Sequence, residues 1–372
     1  MRVIRTIFFT IILIAVCFTS DVYGMELDEY DFSDIQKLME KENVDFDFYE
    51  VAQELGTGDT SVVKQTFITS VEAIKNEFVF NRDVFLQIIG LAIAAALIGG
   101  FSNIFNNSQI GTTGFGIIYM LLMIVLMAGF MTVSQMAERL LELLIEFMKL
   151  LLPTYFMAVG MSGNVSGTLV FYEVMMVIIT VTEWMFFRVF IPLVKIYVVI
   201  TIVDHISKER VMTKISGLIK KFISWMLKTS IAVVTGVNLI EGMVVPAADS
   251  AAVTTLNRMT SVIPGIGSGG SALSGIAIGA GNMIKNTIGG AAMVAIIVVA
   301  VVPALKIAVT SFMYQILSGV LQPVTDKRIT ECISITGYGM EMIFKIILTS
   351  ALLFIISIAV ICMSTNSTYY GM

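Results

Sequence analysis

Residues 169–205 read LVFYEVMMVIITVTEWMFFRVFIPLVKIYVVITIVDH. This run is nearly twice as long as the roughly 20 apolar residues that cross a bilayer as a helix. It is therefore either two helices or one bent element, and Pro192 marks the place where a helix would be interrupted. A second run of similar length, 287–322, is interrupted in the same way by Pro303. Shorter apolar runs occupy 84–105, 114–135, 222–245 and 342–363. The whole chain agrees with them. Of 372 residues, 57% are hydrophobic and 14% charged, and the mean hydropathy is +0.89. A soluble domain of this composition would lack the polar surface to cover itself, and a disordered chain needs the opposite balance. The expected fold class is all-α: a polytopic helical membrane protein.

Around the two prolines the sequence repeats. Ile191-Pro192-Leu193-Val194-Lys195-Ile196 matches Val302-Pro303-Ala304-Leu305-Lys306-Ile307, Leu152-Pro153 matches Ile263-Pro264, and Ala137-Glu138 matches Ala248-Asp249, all at an offset of 111. Ser166-Gly167 and Ser274-Gly275 follow in the same order. This predicts two tandem copies of ~110 residues, at 114–224 and 225–344, with 342–363 starting a truncated third. An even number of crossings per copy makes the copies parallel, and an odd number makes them inverted.

The N-terminus predicts a signal peptide over 1–24. Arg2 and Arg5 precede an apolar stretch from Ile7 to Phe18, and Val22 and Gly24 stand at the small-residue cleavage positions. Residues 25–83 carry 15 acidic and 5 basic side chains, a net of −10. They are expected to form a small acidic extracytoplasmic segment, either a helical element or a solvated acidic linker. Ser33-Asp34-Ile35-Gln36 predicts a capping box opening a helix, Gly56-Thr57-Gly58-Asp59 a turn, and Val63, Phe67, Val71, Ile74 and Phe78 one apolar helical face. A segment this small needs a partner or the membrane body to dock on. The remaining organisation is a first transmembrane helix and loop at 84–113, then the copies, then a last transmembrane helix and tail at 345–372.

Residues 206–228 hold Lys208, Arg210, Lys214, Lys220, Lys221 and Lys228 against one acid, Glu209. Such a basic connection is expected on the cytoplasmic side. From an extracytoplasmic head, an odd number of crossings must then precede it. The clear runs give four if 169–205 crosses twice. Either 137–160 crosses as well, or 169–205 crosses once. Glu138, Arg139, Glu142, Glu146 and Lys149 leave 137–152 readable as an interfacial amphipathic helix or as a crossing that faces the protein interior.

Ionisable groups inside a membrane are costly and mark candidate functional positions. Glu173, Glu183, Lys195 and Asp204 lie in or beside the first long run, and Lys306 takes the place of Lys195 in the second copy. A lysine three residues after Pro192 or Pro303 can reach the carbonyls a helix break frees, line a polar path, or snorkel to the headgroups. Trp184 and Arg188 are spaced for a cation–π contact or for an aromatic belt. His205, the single histidine, reads as a proton relay or a polar helix end. The glycines Gly265, Gly267, Gly269, Gly270 and Gly275 suit close helix packing or a re-entrant loop, and no Walker pattern accompanies them. Three cysteines and one histidine argue against a zinc site or a disulfide scaffold. No catalytic constellation, cofactor site or nucleic-acid motif is found.

The chain resembles the stage III sporulation protein AE family of endospore-forming bacteria. The likeness rests on the whole plan and on Phe190–Ile196, Lys214-Ile215-Ser216-Gly217-Leu218-Ile219-Lys220-Lys221, Gly236-Val237-Asn238-Leu239-Ile240-Glu241-Gly242 and Val302–Ile307. It implies a non-enzymatic component of a channel or secretion complex in the mother-cell membrane around the forespore. It also implies other stage III sporulation A proteins and the forespore stage III sporulation protein Q as partners, with membrane lipid around the chain and a homo-oligomer compatible with it. The family offers no agreed catalytic residues. The competing expectation is a stand-alone secondary transporter with its path at the repeat interface, near Lys195 and Lys306.

Overall fold

The computed structural model describes residues 30–42, 44, 46–57, 82–104, 108–161, 165–206, 212–260 and 267–364. The described secondary structure is helical. Two short helices come first, α1 (Ser33–Lys41) and α2 (Phe48–Thr57). The bundle follows: α3 (Arg82–Ile104), α4 (Ser108–Met161), α5 (Val165–Met185), a π-helical turn (Phe186–Phe190), α6 (Ile191–Ile206), α7 (Thr213–Thr260), α8 (Gly267–Leu321) and α9 (Lys327–Ser364). Among the described residues, four stretches are long and apolar enough to cross a membrane: Thr113–Gly160, Tyr172–His205, Met283–Leu321 and Lys327–Cys362.

Each long run is one element. Residues 169–205 form α5, the π turn and α6 without a break, and 287–321 lies within α8. The π turn is explained by Pro192. Proline has no N–H and its ring crowds the carbonyl four residues back. Widening the preceding turn relieves that crowding, and the Ile191 N–H bonds the carbonyl of Phe186, five residues back. Segment 137–152 is not a separate interfacial helix. It continues α4, whose 54 residues span about 80 Å at ~1.5 Å per residue.

Contacts fix the helix directions. Tyr119 on α4 meets Cys332 on α9 near one end, and Tyr155 meets Cys362 near the other, so α4 and α9 run parallel. The α5–α6 element runs back along α4, pairing Glu183 with Lys149 and Lys195 with Glu138. α7 starts beside Asp204 and passes Met185 at Ser230. α8 descends along α9, with Gly289 against Cys362 and Ser318 donating to the Thr330 carbonyl. α3 starts with Phe85 edge-to-face against Tyr314 and reaches Thr325 at Ala92. α9 lies innermost, packed on α4, α6, α7 and α8. Apolar burial is the reason: Ile343, Ile346, Ile347, Leu353, Phe354 and Ala359 are fully buried. Some hydroxyls within the bundle return to their own helices, Thr336 to the Cys332 carbonyl and Thr349 to the Lys345 carbonyl, while Ser311 of α8 crosses to the Gly337 carbonyl of α9.

The head segment docks on the bundle as far as it is described. Phe32, Phe46 and Phe48 cluster with Ile35, Leu38 and Met39. Phe48 stacks near Phe147 of α4 at 6.3 Å, and Thr154 donates to the Asp31 carbonyl at 3.2 Å. The capping box is not formed. Ser33 is already helical, Phe32 sits at the N-cap position without a side-chain bond, and the Asp31 carboxylate takes the Ser33 N–H at 2.9 Å. Asp31 lies two residues ahead and reaches that first free N–H directly. Gln36, the other member of the expected box, accepts from the Phe48 N–H instead. α2 ends at Thr57, beside the expected turn. The expected signal peptide and the face from Val63 to Phe78 lie outside the described residues. The boundaries expected at 224/225 and 344/345 fall inside α7 and α9.

Candidate functional site: charged positions between the helices

Lys195 is held by its neighbour across the bundle. Its Nζ lies 2.7 Å from Glu138 Oε1, with the two side chains 30% and 32% exposed. The lysine therefore finds a carboxylate rather than the carbonyls that the proline break frees. One helical stretch away, Lys149 and Glu183 make the same kind of tie at 2.8 Å. Glu138 and Lys149 of 137–152 thus bond to the next helix instead of along their own. Spacing within one helix carries no record of a partner 34 or 57 residues away, and this is why sequence reasoning missed both pairs.

Lys306 is half-buried on α8 and makes no ion pair among the described residues. It does not share the Glu138 carboxylate with Lys195, so the two equivalent lysines are not joined by a common partner. Pro192 and Pro303 are both half-buried inside long helices. Glu173 and Arg188 are exposed, and Trp184 is exposed beside them. Trp184 and Arg188 make no cation–π contact; the π turn offsets residues four apart that a regular helix would stack. The cation–π contact found is elsewhere, with Lys220 Nζ 5.0 Å from the Tyr338 ring centre.

Asp204 is buried, and its carboxylate accepts the Met212 N–H at 2.7 Å and the Thr213 hydroxyl at 2.6 Å. It caps the start of α7 from the end of α6, supplying acceptors to donors that a helix N-terminus leaves open. Lys214, Lys220 and Lys221 are exposed along the first turns of α7, at the bundle end opposite the head. Lys208, Arg210 and Gly265 lie outside the described residues. Gly267, Gly269, Gly270 and Gly275 fall in the first turns of α8. Lys285, which sequence reasoning passed over, is fully buried near Cys362. A single lysine inside a glycine-rich stretch gave no pattern by which to find it. Among the described residues no cluster of histidine, cysteine and carboxylates is arranged to hold a metal.

The fold and these positions define a class: a multi-pass helical membrane protein whose charged side chains tie helix to helix. The profile of stage III sporulation protein AE matches residues 46–365, and the chain belongs to that family. A curated relative, stage III sporulation protein AE of Bacillus subtilis (strain 168), is 22% identical over 313 residues, covering 84% of this chain and 78% of its own. No solved structure matches the chain. Family membership gives it a role in sporulation.

Proposed function

We propose that the chain is a non-enzymatic membrane subunit of the channel or secretion complex joining mother cell and forespore, acting with partners and not as a stand-alone transporter. The observation that carries this reading is the direction of the helices. α4 with α5–α6 runs out and back, and α7 with α8 does so again. Two copies read over these elements cross an even number of times and run parallel. The inverted half-sites found in many secondary transporters then have no counterpart. Lys195, one of the two lysines on which a transport path would depend, is already neutralised by Glu138.

In this reading residues 1–24 are removed and the acidic segment 25–83 faces the space between the two membranes. The basic turns at 206–228 face the mother-cell cytoplasm. The partners are other stage III sporulation A proteins and the forespore stage III sporulation protein Q. The test is purification from sporulating cells in mild detergent. Recovery of sporulation proteins with the chain is the expected result. A partner-free chain that gives saturable uptake in proteoliposomes overturns it. Replacing Lys195 and Lys306 by Met is expected to leave spore yield near normal, and loss of spores with partners still bound would favour a polar path at those lysines.

A further inference from the structure

The basic end of the bundle holds the chain's one histidine between two acceptors. His205 Nδ1 lies 2.6 Å from the Thr201 carbonyl oxygen, one turn back on α6. Its Nε2 lies 3.2 Å from Glu331 Oε2, on the first turns of α9. A carbonyl and a carboxylate both accept. A neutral imidazole has one N–H and one lone pair and can serve only one of them. The two contacts together call for a ring with hydrogen on both nitrogens. Lys327 Nζ, 3.8 Å from the other oxygen of Glu331, favours the charged carboxylate over a protonated one that could donate in return.

We propose that His205 and Glu331 form a proton-dependent latch between the end of α6 and the start of α9. The two halves of the latch are unequal. The bond to Thr201 is short and both its atoms ride on α6. A ring that gives up a proton keeps Nδ1–H there and turns a bare Nε2 toward the carboxylate. Deprotonation therefore breaks the bond between helices and spares the one within α6. Beside it, Asp204 ties α6 to α7 through Met212 and Thr213. Among the described residues, the charged and titratable groups beside the latch include Lys327, Arg328 and Cys332 on α9, Asp326 before it and Tyr119 on α4. Tyr119 is itself occupied, its hydroxyl 2.6 Å from Cys332 Sγ. This end of the bundle therefore has one joint that depends on a proton held by the ring and another, at Asp204, that does not.

The single histidine makes the test direct. The full chain, purified without a histidine tag and placed in nanodiscs, carries ¹⁵N-labelled histidine, and every ring signal then belongs to His205. Spectra are taken at about pH 6 and about pH 8.5, either side of the ordinary histidine value near 6.5. Two N–H nitrogens are expected at the lower pH, with a bare Nε2 at the higher. Spin labels at Val203 and Val324, both exposed, report the joint; the native thiols Cys332 and Cys362 are buried, and Cys17 is replaced by Ser. A narrow separation at the lower pH that broadens at the higher is expected in the wild-type chain. In Glu331→Ala, which leaves Nε2 no partner there, the broad separation is expected at both. A neutral ring at the lower pH, or a separation that does not respond to pH, overturns the latch. So does a Glu331→Ala chain that behaves as wild type. If that variant does not fold, the ring spectrum and the wild-type separation decide alone.

Discussion

Gly339 lies where α9 crosses between Val198 and Phe130. A Cβ there would collide with Val198 Cγ2 and come within 3.0 Å of Phe130 Cε2. Both neighbours are fully buried and cannot retreat. Gly339→Ala is expected to destabilise by about 1–3 kcal/mol, the usual cost of overpacking, measured as a loss of thermal midpoint in detergent. Gly319, on α8, meets nothing within 4 Å. Gly319→Ala is expected to be neutral or to stabilise by up to about 1 kcal/mol through helix propensity. Asp31 behaves differently because it stands in solvent. Hydrogen bonds from the Ser33 side chain and backbone hold its carboxyl below the ordinary 3.8. Its contribution to α1 is present above 3.8 and is lost as pH falls through the lowered value. The protection of the α1 amides, taken against the intrinsic exchange rate at each pH, is expected to fall on that acidification, and Asp31→Ala is expected to show the lower protection already at neutral pH.

At the scale of the element, Pro192 sets the shape of the longest bent run. Replacing it by Ala restores an N–H and removes the ring that crowds the Arg188 carbonyl. The π turn then loses its cause, and closing it to a regular helix rotates one flank against the other by about 100°, the turn of one residue. Fully buried Phe186, Phe190 and Val194 lie on both sides of the turn and cannot all keep their places. Pro192→Ala is therefore expected to lower the thermal midpoint although it improves helix propensity, whereas an ordinary exposed Pro→Ala in a helix raises it. The apolar runs, the two prolines and the helical character were legible in sequence, because membrane spans are written as composition and length. The π turn was not legible, since one proline is compatible with a kink, a break or two helices. The choice among them is made by the packing of Phe186 and Phe190 against the bundle.

For the whole molecule, the deciding matter is which ends lie together. The head and the α4 C-terminus meet at one end, where Gly289 of α8 lies against Cys362, and the starts of α7 and α9 meet the end of α6 at the other. Single cysteines labelled from outside intact cells are expected to react at Tyr49, Gly160 and Ser271 and to be protected at Lys214 and Arg328. Protection of Ser271 with reaction at Gly160 would make the two copies inverted. Sequence alone could not choose, because the count of crossings turned on whether 169–205 crosses once or twice and whether 137–160 is a span. The structure makes the first a single bent helix and the second part of α4. The charged candidates divide the same way. Lys195, Glu183 and Asp204 were recognisable as costly residues in an apolar run, but their partners Glu138, Lys149 and Thr213 come from other helices, and no spacing rule encodes them.

The two tyrosine–cysteine contacts between α4 and α9 carry a further geometric meaning. Tyr119 and Tyr155 stand 36 residues apart on α4, and Cys332 and Cys362 stand 30 apart on α9. At ~1.5 Å per residue, α4 has about 9 Å more rod than α9 between the same two fastenings. That surplus is taken up by curvature or tilt of α4, which Pro153 interrupts between the two fastenings, and by the reach of the tyrosines, so the two contacts clamp together unequal lengths of helix.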